Sequence, residues 1–185
     1  LFATKVARQM AKRQLALKLF RQHDFTGLFE MHSTAGTLEA PTLPHDCTHL
    51  WSHDAKAGIG LLLKHDFLRN FNPIDQERDW NQIMPGRVAI LSLQGAQGAL
   101  DIVVDYFHTG QDGAPGRAEA IRRISHHIRP QRDALTIMVG DWNFVAEDED
   151  RFCKTDASWT GARNKSTQEK WMHSLQSPHH IHELH

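Results

Sequence analysis

Residues 87–106 read RVAILSLQGAQGALDIVVDY. Apolar and branched side chains alternate through residues 87–93 and are dense again in residues 100–106, which is typical of strands. The intervening segment 94–98 contains two glycines, which tight turns favour. The stretch therefore predicts a β-hairpin and a sheet that contains antiparallel pairing.

Further elements are predicted on both sides of this hairpin. Residues 4–22 have the spacing of a helix, with Val6, Met10, Leu17 and Phe20 on one face. Strands are predicted at 26–31, 50–51, 58–63 and 135–139, helices at 117–129 and 166–175, and loop or irregular structure at 33–44 and 67–86. The helix at 117–129 is expected to bury Ala118, Ile121, Ile124 (or Ser125) and Ile128. Hairpins mixed with crossover helices indicate an α/β fold that differs from a doubly wound Rossmann sheet.

The composition narrows the class of protein. With 185 residues and 40% hydrophobic content, the chain is predicted to form one domain over residues 1–185. The net charge of −1 does not favour nucleic-acid binding by bulk charge. It does not exclude such binding, because a basic patch that faces an acidic site would also leave the net charge near zero. Cys47 and Cys153 form no CxxC pair, which argues against a disulfide framework and a thiolate zinc site. No apolar run approaches the roughly 20 residues that cross a bilayer, so no membrane partner is expected.

Fourteen histidines are many for this length, but their spacing favours no metal site. His49 and His53 are four residues apart, yet they lie beside strand-like sequence and no HExxH motif is present. The favoured interpretation is a set of exposed polar positions.

Basic side chains line one surface of the predicted first helix. Lys5, Arg8 and Lys12 are among them, and no acid occurs before Asp24. Two interpretations stay open with about equal weight, namely a solvated helix face and a contact with the phosphate backbone of a nucleic acid.

The segment Val139-Gly140-Asp141-Trp142-Asn143 carries the most informative chemistry. A buried strand leads to a glycine, and Asp141 and Asn143 are then expected to project to the same side because they are two residues apart in extended sequence. A carboxylate and an amide together suit the orientation of water and phosphate beside a metal ion. Because Gly, Asp and Asn are also common turn residues, an ordinary turn is the alternative.

Two further polar residues stand at the ends of predicted strands. Glu30 ends a short apolar strand, where it is either a Mg²⁺ ligand or a surface charge. Tyr106 is the only tyrosine and ends the second strand of the hairpin. Its phenol is either a donor to a phosphate oxygen or a half-buried residue at the rim of the sheet.

The order of these residues resembles the endonuclease/exonuclease/phosphatase family. The resemblance rests on residues 24–30, 57–63, 100–106 and 139–143, with Asp150 and Arg151 downstream. No dinucleotide-binding, P-loop or nucleophile-elbow motif competes with it. It implies a DNase-I-like two-sheet α/β sandwich, incomplete here because edge strands are missing at the N- and C-termini.

The resemblance also implies roles for the four residues. Glu30 is expected to bind Mg²⁺, with Mn²⁺ as the alternative ion, and Asp141 to orient or deprotonate the attacking water. Asn143 is expected to position the phosphate or the ion, and Tyr106 to contact the phosphate. The implied function is metal-dependent hydrolysis of phosphodiester bonds in DNA by an endonuclease, similar to the apurinic or non-LTR retrotransposon type. The alternatives are an inactive remnant or binding module of the same fold, and a phosphatase acting on phosphoinositides or lipid phosphoesters.

Two features of the family pattern have no counterpart in this sequence. The family has an Asn-bearing strand before the first helix and a late Ser-Asp-His motif, and neither occurs in these 185 residues. The role of the family's histidine is therefore assigned to none of the fourteen histidines. The expectation that follows is a domain truncated at both ends.

Overall fold

The hairpin predicted at residues 87–106 forms the centre of a four-stranded sheet. The computed structural model describes residues 5–33, 44–144, 152–153, 158–159 and 164–182, with side chains for 14–33, 44–144 and 164–182. Its elements are α1 (Lys5–Gln22), β1 (Phe25–Phe29), β2 (Cys47–Ser52), β3 (Ile59–Lys64), α2 (His65–Leu68), α3 (Gln76–Asp79), β4 (Trp80–Met84), β5 (Val88–Gly95), β6 (Gly98–Tyr106), α4 (Ala114–His127), β7 (Leu135–Asp141), β8 (Phe152–Cys153), β9 (Ser158–Trp159), α5 (Lys165–Trp171), a π-helical segment (Met172–Gln176) and α6 (Ser177–His179).

The four-stranded sheet has the order β4-β5-β6-β7. Strands β5 and β6 pair antiparallel through Gly95 and Gly98 at the turn, whereas β6 and β7 pair parallel because α4 carries the chain across the sheet between them. Parallel strands end at the same edge, and the register places Tyr106 beside Asp141 there.

A second sheet has the order β1-β3-β2, with β3 antiparallel to both neighbours. Strands β1 and β2 therefore run in the same direction and end together. Gly60 on β3 lies under the ring of Trp51, where a Cβ atom would overlap the indole. A glycine is needed at this position because the aromatic ring approaches the backbone so closely.

The two sheets pack face to face around one apolar core. Leu61 and Leu63 of β3 contribute to the same cluster as Leu91, Ile102 and Val104 of the other sheet. On the outer face of the four-stranded sheet, a second core joins β5 and β6 to α4 and to Leu175. Helix α1 packs on β1 and β3, and its Phe20 is buried as predicted. The structure is thus an α/β sandwich of two sheets between helices, as expected.

Among the described residues, β1 and β7 lie at the edges of their sheets. These two edge strands face each other across the sandwich, where Gly27 of β1 approaches the side chain of Val139 of β7.

Two predictions of local structure were wrong. Residues 67–86 were expected to be irregular but contain the end of α2 and all of α3 and β4. Trp80 and Ile83 of β4 are buried. Helix α4 begins three residues earlier than predicted, since Pro115 occupies its first turn. Proline suits this position because the first N–H groups of a helix have no partner within it. The buried face of α4 includes Ala120 and Arg117, whereas Ala118 is half-buried.

Candidate active site

The ends of β1, β6 and β7 bring three of the predicted site residues to one edge of the sandwich. The hydroxyl of Tyr106, at the end of β6, donates a hydrogen bond of 2.5 Å to Oε1 of Glu30, just beyond β1. Asp141 is the register partner of Tyr106 on β7. Register partners on adjacent strands project to the same face of a sheet, so the Asp141 side chain lies on the same face as Tyr106. The contact joins the two sheets, because β1 and β6 belong to different ones.

Glu30 is exposed, but its backbone is firmly held. The residue has a φ of 55°, in the left-handed region that side chains other than glycine rarely adopt. The following amides of Met31 and His32 donate to the carbonyl oxygens of Gly58 and Ala57 at 3.1 and 2.8 Å. This tether to the segment before β3 turns the chain out of β1 and directs the Glu30 side chain towards Tyr106.

Tyr106 lies between a cation and an anion. Its side chain is only 4% exposed, and the guanidinium of Arg87 stacks over its ring with Cζ 5.0 Å from the centroid. Burial, and then the hydrogen bond to Glu30, raise the pKa of Tyr106 to about 12. The phenol therefore stays protonated at neutral pH and acts as a donor to Glu30. The predicted contact of Tyr106 with phosphate remains a prediction, since the structure gives this hydroxyl a different partner.

Asp141 and Asn143 form a turn at the end of β7. Oδ1 of Asp141 accepts a hydrogen bond of 3.1 Å from the backbone N–H of Asn143, and the side-chain amide of Asn143 donates to the carbonyl of Phe107 at 3.0 Å. Asn143 has a φ of 49°. The expectation that the two side chains project alike from an extended segment was therefore wrong, because the chain turns at this point. The turn nonetheless keeps both side chains beside the end of β6.

Asp105 is a buried acid that the sequence analysis did not select. It is 0% exposed and projects from β6 on the face opposite to Tyr106. Its Oδ2 accepts the indole N–H of Trp142 at 3.1 Å, whereas Oδ1 has no hydrogen-bond partner in the described part of the chain. Burial, opposed by the bond from Trp142 and reinforced by the charge of Asp141, raises the pKa of Asp105 well above its usual range. An acid inside an apolar strand run was the signal available in the sequence.

The Asp105 carboxyl lies directly against Gly140. A Cβ atom at position 140 would overlap Oδ1 of Asp105, so the glycine before Asp141 is required by packing. Trp142 in turn packs on Trp171 of α5, with ring centroids 5.1 Å apart. On its buried side, the turn that carries Asp141 and Asn143 is therefore held in place by these contacts.

His108 is a second residue near the site that the sequence analysis missed. Burial, followed by the charges of Arg87 and Arg117, lowers the pKa of His108, so its imidazole is neutral at pH 7. Its Nδ1 is buried and has no hydrogen-bond partner among the described residues. The buried Arg117 donates to the carbonyls of His108 and Gly110 and so holds this loop against α4. His108 lies two residues after Tyr106, and that spacing was its only sequence signal.

Other predicted residues cannot be placed beside this site. The side chains of Lys5, Arg8 and Lys12 belong to the part of α1 for which only the backbone is described, and Asp150 and Arg151 lie outside the described residues. Within the described ranges, no group of three or more His, Cys, Asp or Glu side chains is arranged to hold a metal ion. His53 donates to or accepts from Ser33 at 2.9 Å and shares no helix face with His49, which lies on β2.

Comparison with known proteins identifies the fold. No family model and no curated protein matches the sequence. A humanized D. rerio TDP2 with 14 mutations matches with a TM-score of 0.53 and 15% identity, covering 75% of this chain and 61% of that one. D. rerio TDP2 complexed with a single-strand DNA product matches with a TM-score of 0.51 and 15% identity, covering 73% and 55%. TDP2 from C. elegans matches with a TM-score of 0.51 and 17% identity, covering 77% of this chain and 44% of that one.

These structures have the DNase-I-like fold of the endonuclease/exonuclease/phosphatase superfamily, so the expected fold is confirmed. The chain spans 44–61% of the length of the solved structures that it matches. At 15–17% identity the likeness concerns the fold.

Proposed function

We propose that this chain is a Mg²⁺-dependent phosphodiester hydrolase that cleaves DNA as an endonuclease. The observation that carries the proposal is the convergence of Glu30, Tyr106 and Asp141 at one edge of a DNase-I-like sandwich, from three strands of two sheets. The preference for DNA is supported by the single-strand DNA product bound to one protein of this fold. The basic residues Lys5, Arg8 and Lys12 of α1 are the candidates for contacts with the phosphate backbone.

The donor set at this edge fits Mg²⁺. This ion is commonly held through one or two carboxylates, with water and substrate phosphate as the remaining ligands, so a cluster of three acids is not required. Glu30 is an exposed carboxylate with Oε1 engaged by Tyr106, which leaves Oε2 for a cation. When bound, Mg²⁺ or Mn²⁺ would neutralise developing charge on the phosphate and its leaving oxygen.

Asp141 is the residue to which we assign the orientation or deprotonation of the attacking water. Its side chain is exposed, and its Oδ1 is fixed by the backbone N–H of Asn143, so the carboxylate cannot turn freely. The proton taken from water would reside on the Asp141 carboxylate. General base catalysis of this kind contributes about 100- to 10,000-fold to the rate.

Asn143 and Arg87 supply the polar groups for the phosphate. One N–H of the Asn143 amide is tied to the Phe107 carbonyl, which leaves the second to donate to a phosphate oxygen. Arg87 brings a permanent positive charge to the face of Tyr106. Such preorganised donors stabilise charge that develops on phosphate during the reaction.

Nicking of supercoiled plasmid by the purified chain in Mg²⁺ tests the proposal. The Glu30→Ala/Asp141→Ala double variant and EDTA should each reduce nicking at least about 100-fold. The matched control is Asp66→Ala/Glu77→Ala, which also removes two exposed carboxylates but lies away from this edge. Unchanged nicking by the first double variant would refute the assignment of the site.

The same variants separate an enzyme from a binding module of this fold. A folded chain that retains single-strand DNA in a filter-binding assay but nicks nothing in Mg²⁺ or Mn²⁺ would refute the enzymatic proposal. Release of phosphate from a phosphoinositide, without cleavage of DNA, would refute the choice of substrate and support the phosphatase alternative.

A further inference from the structure

The orientation of Glu30 depends on a single side-chain contact. Its backbone is tied to Gly58 and Ala57, but its side chain is exposed to solvent. Within the described residues, the hydroxyl of Tyr106 is the one group that binds its carboxylate. An exposed glutamate otherwise samples several rotamers, which a metal ion would have to restrict on binding. The bond to Tyr106 removes much of this freedom in advance.

Tyr106 is well suited to act as a fixed donor. It ends β6, the strand that pairs with β5 on one side and β7 on the other, and its ring belongs to the core between the sheets. The Arg87 guanidinium covers one face of that ring. Because the phenol cannot shift without disturbing this packing, the position of the hydroxyl is set by the fold.

We propose that Tyr106 is a positioning residue, which holds Oε1 of Glu30 so that Oε2 is presented to the metal ion. The inference rests on the proposed function, since it takes Glu30 as the metal ligand. It assigns to Tyr106 a role distinct from direct contact with the phosphate. Groups that orient a metal ligand from behind commonly change metal affinity 10- to 100-fold when they are removed.

Binding of Mn²⁺ to the purified chain, measured by the electron paramagnetic resonance of the free ion, gives a readout that is independent of catalysis. Tyr106→Phe removes one oxygen atom and leaves the ring in place. This variant should bind Mn²⁺ about 10- to 100-fold more weakly than the wild type. Glu30→Gln, which removes the ligand charge, should lose binding altogether.

Ser92→Ala is the matched control. It also removes a hydroxyl that donates to a carboxylate, the 2.9 Å bond from Ser92 to Asp101, but it lies towards the opposite end of β5 and β6. Its Mn²⁺ affinity should equal that of the wild type. Equal far-ultraviolet circular dichroism of the variants establishes that each is folded.

The dependence of nicking on Mg²⁺ concentration supplies a second readout. In Tyr106→Phe the Mg²⁺ concentration for half-maximal rate should rise about 10- to 100-fold, while the rate at saturating Mg²⁺ stays near that of the wild type. A residue that acts on the phosphate would instead lower the rate at saturation.

The outcomes separate the two proposals. If Glu30→Gln loses Mn²⁺ but Tyr106→Phe binds it as the wild type does, the positioning role is overturned and the proposed metal site stands. If the wild type binds no Mn²⁺, or Glu30→Gln binds as well as the wild type, the proposed metal site fails and the positioning role fails with it.

Discussion

Replacing Gly140 by alanine is expected to lower the free energy of unfolding by about 2–4 kcal/mol. The new Cβ would overlap Oδ1 of Asp105 and lie 2.8 Å from the Asp105 backbone oxygen. Asp105 is fully buried and holds the indole N–H of Trp142, so its carboxyl cannot move aside without breaking that bond. Overpacking costs about 1–3 kcal/mol, and a lost hydrogen bond about 1 kcal/mol more. For a chain of this size the melting temperature should fall by about 10 °C.

A double-mutant cycle isolates the contact between positions 140 and 105. Urea unfolding, followed by the fluorescence of the five tryptophans, gives the free energy for Gly140→Ala, Asp105→Ala and the double variant. Truncation of Asp105 removes the overlapping carboxyl, so the double variant should be more stable than the sum of the single effects predicts, by about 1–2 kcal/mol. The remaining approach to the Asp105 carbonyl makes the rescue partial.

Asp101→Asn provides the control for this cycle. Asp101 is also buried on the same face of β6, four residues earlier, but its register partner on β7 is Thr136. Its effect should add to that of Gly140→Ala within about 0.5 kcal/mol. If the effects of Gly140→Ala and Asp105→Ala also add within about 0.5 kcal/mol, the packing argument is refuted.

Three further predictions concern charged and titratable groups. Arg129→Ala should lower the free energy of unfolding in urea by about 3 kcal/mol, because it leaves the buried Asp101 carboxylate without the guanidinium that binds it at 2.6 Å. A loss below about 0.5 kcal/mol, as at ordinary surface positions, would contradict this prediction. Tyr106, the sole tyrosine, should titrate in near-ultraviolet absorbance at a pKa of about 12, and Glu30→Gln should lower that midpoint; a midpoint of 10.0 in the folded wild type would count against the hydrogen bond. The pKa of His108 is lowered from 6.5, so its stabilising contribution is present above that pH and lost as the pH falls below it. The melting temperature of His108→Gln should therefore fall less steeply with decreasing pH than that of the wild type. Identical pH profiles of the two melting temperatures would show that His108 does not contribute to the acid sensitivity.

The sequence pattern predicted the elements whose side chains follow a regular period. The hairpin of β5 and β6 was found at nearly the expected position because central strands bury apolar side chains on both faces. Strand β7, an edge strand that is only half-buried, was found from the continuous apolar run of residues 135–139. Strand β4 was missed because only Trp80 and Ile83 are buried, Asn81 and Gln82 are exposed, and the register shifts between Asn81 and Met84. An irregular edge strand leaves no alternating pattern to detect.

The candidate site was predictable at its strand ends but not in its contacts. Glu30 and Asp141 stand where strands end, and the sequence shows this directly. The partner of Tyr106 was not foreseeable, because its hydrogen bond to Glu30 depends on how the two sheets pack. The turn at Asn143 escaped the period of an extended strand because its φ is positive. Asp105 was hidden because its role depends on the glycine opposite it on β7.

The hydrogen bond between Tyr106 and Glu30 also bears on the order in which this chain folds. The two residues are 76 positions apart and lie on separate sheets. The entropy of closing so long a loop has to be overcome before the contact contributes any stability, whereas the hairpin of β5 and β6 closes locally. Either sheet can therefore form early without creating the site. Ligand affinity should appear only in the last kinetic phase of refolding, when the sandwich closes.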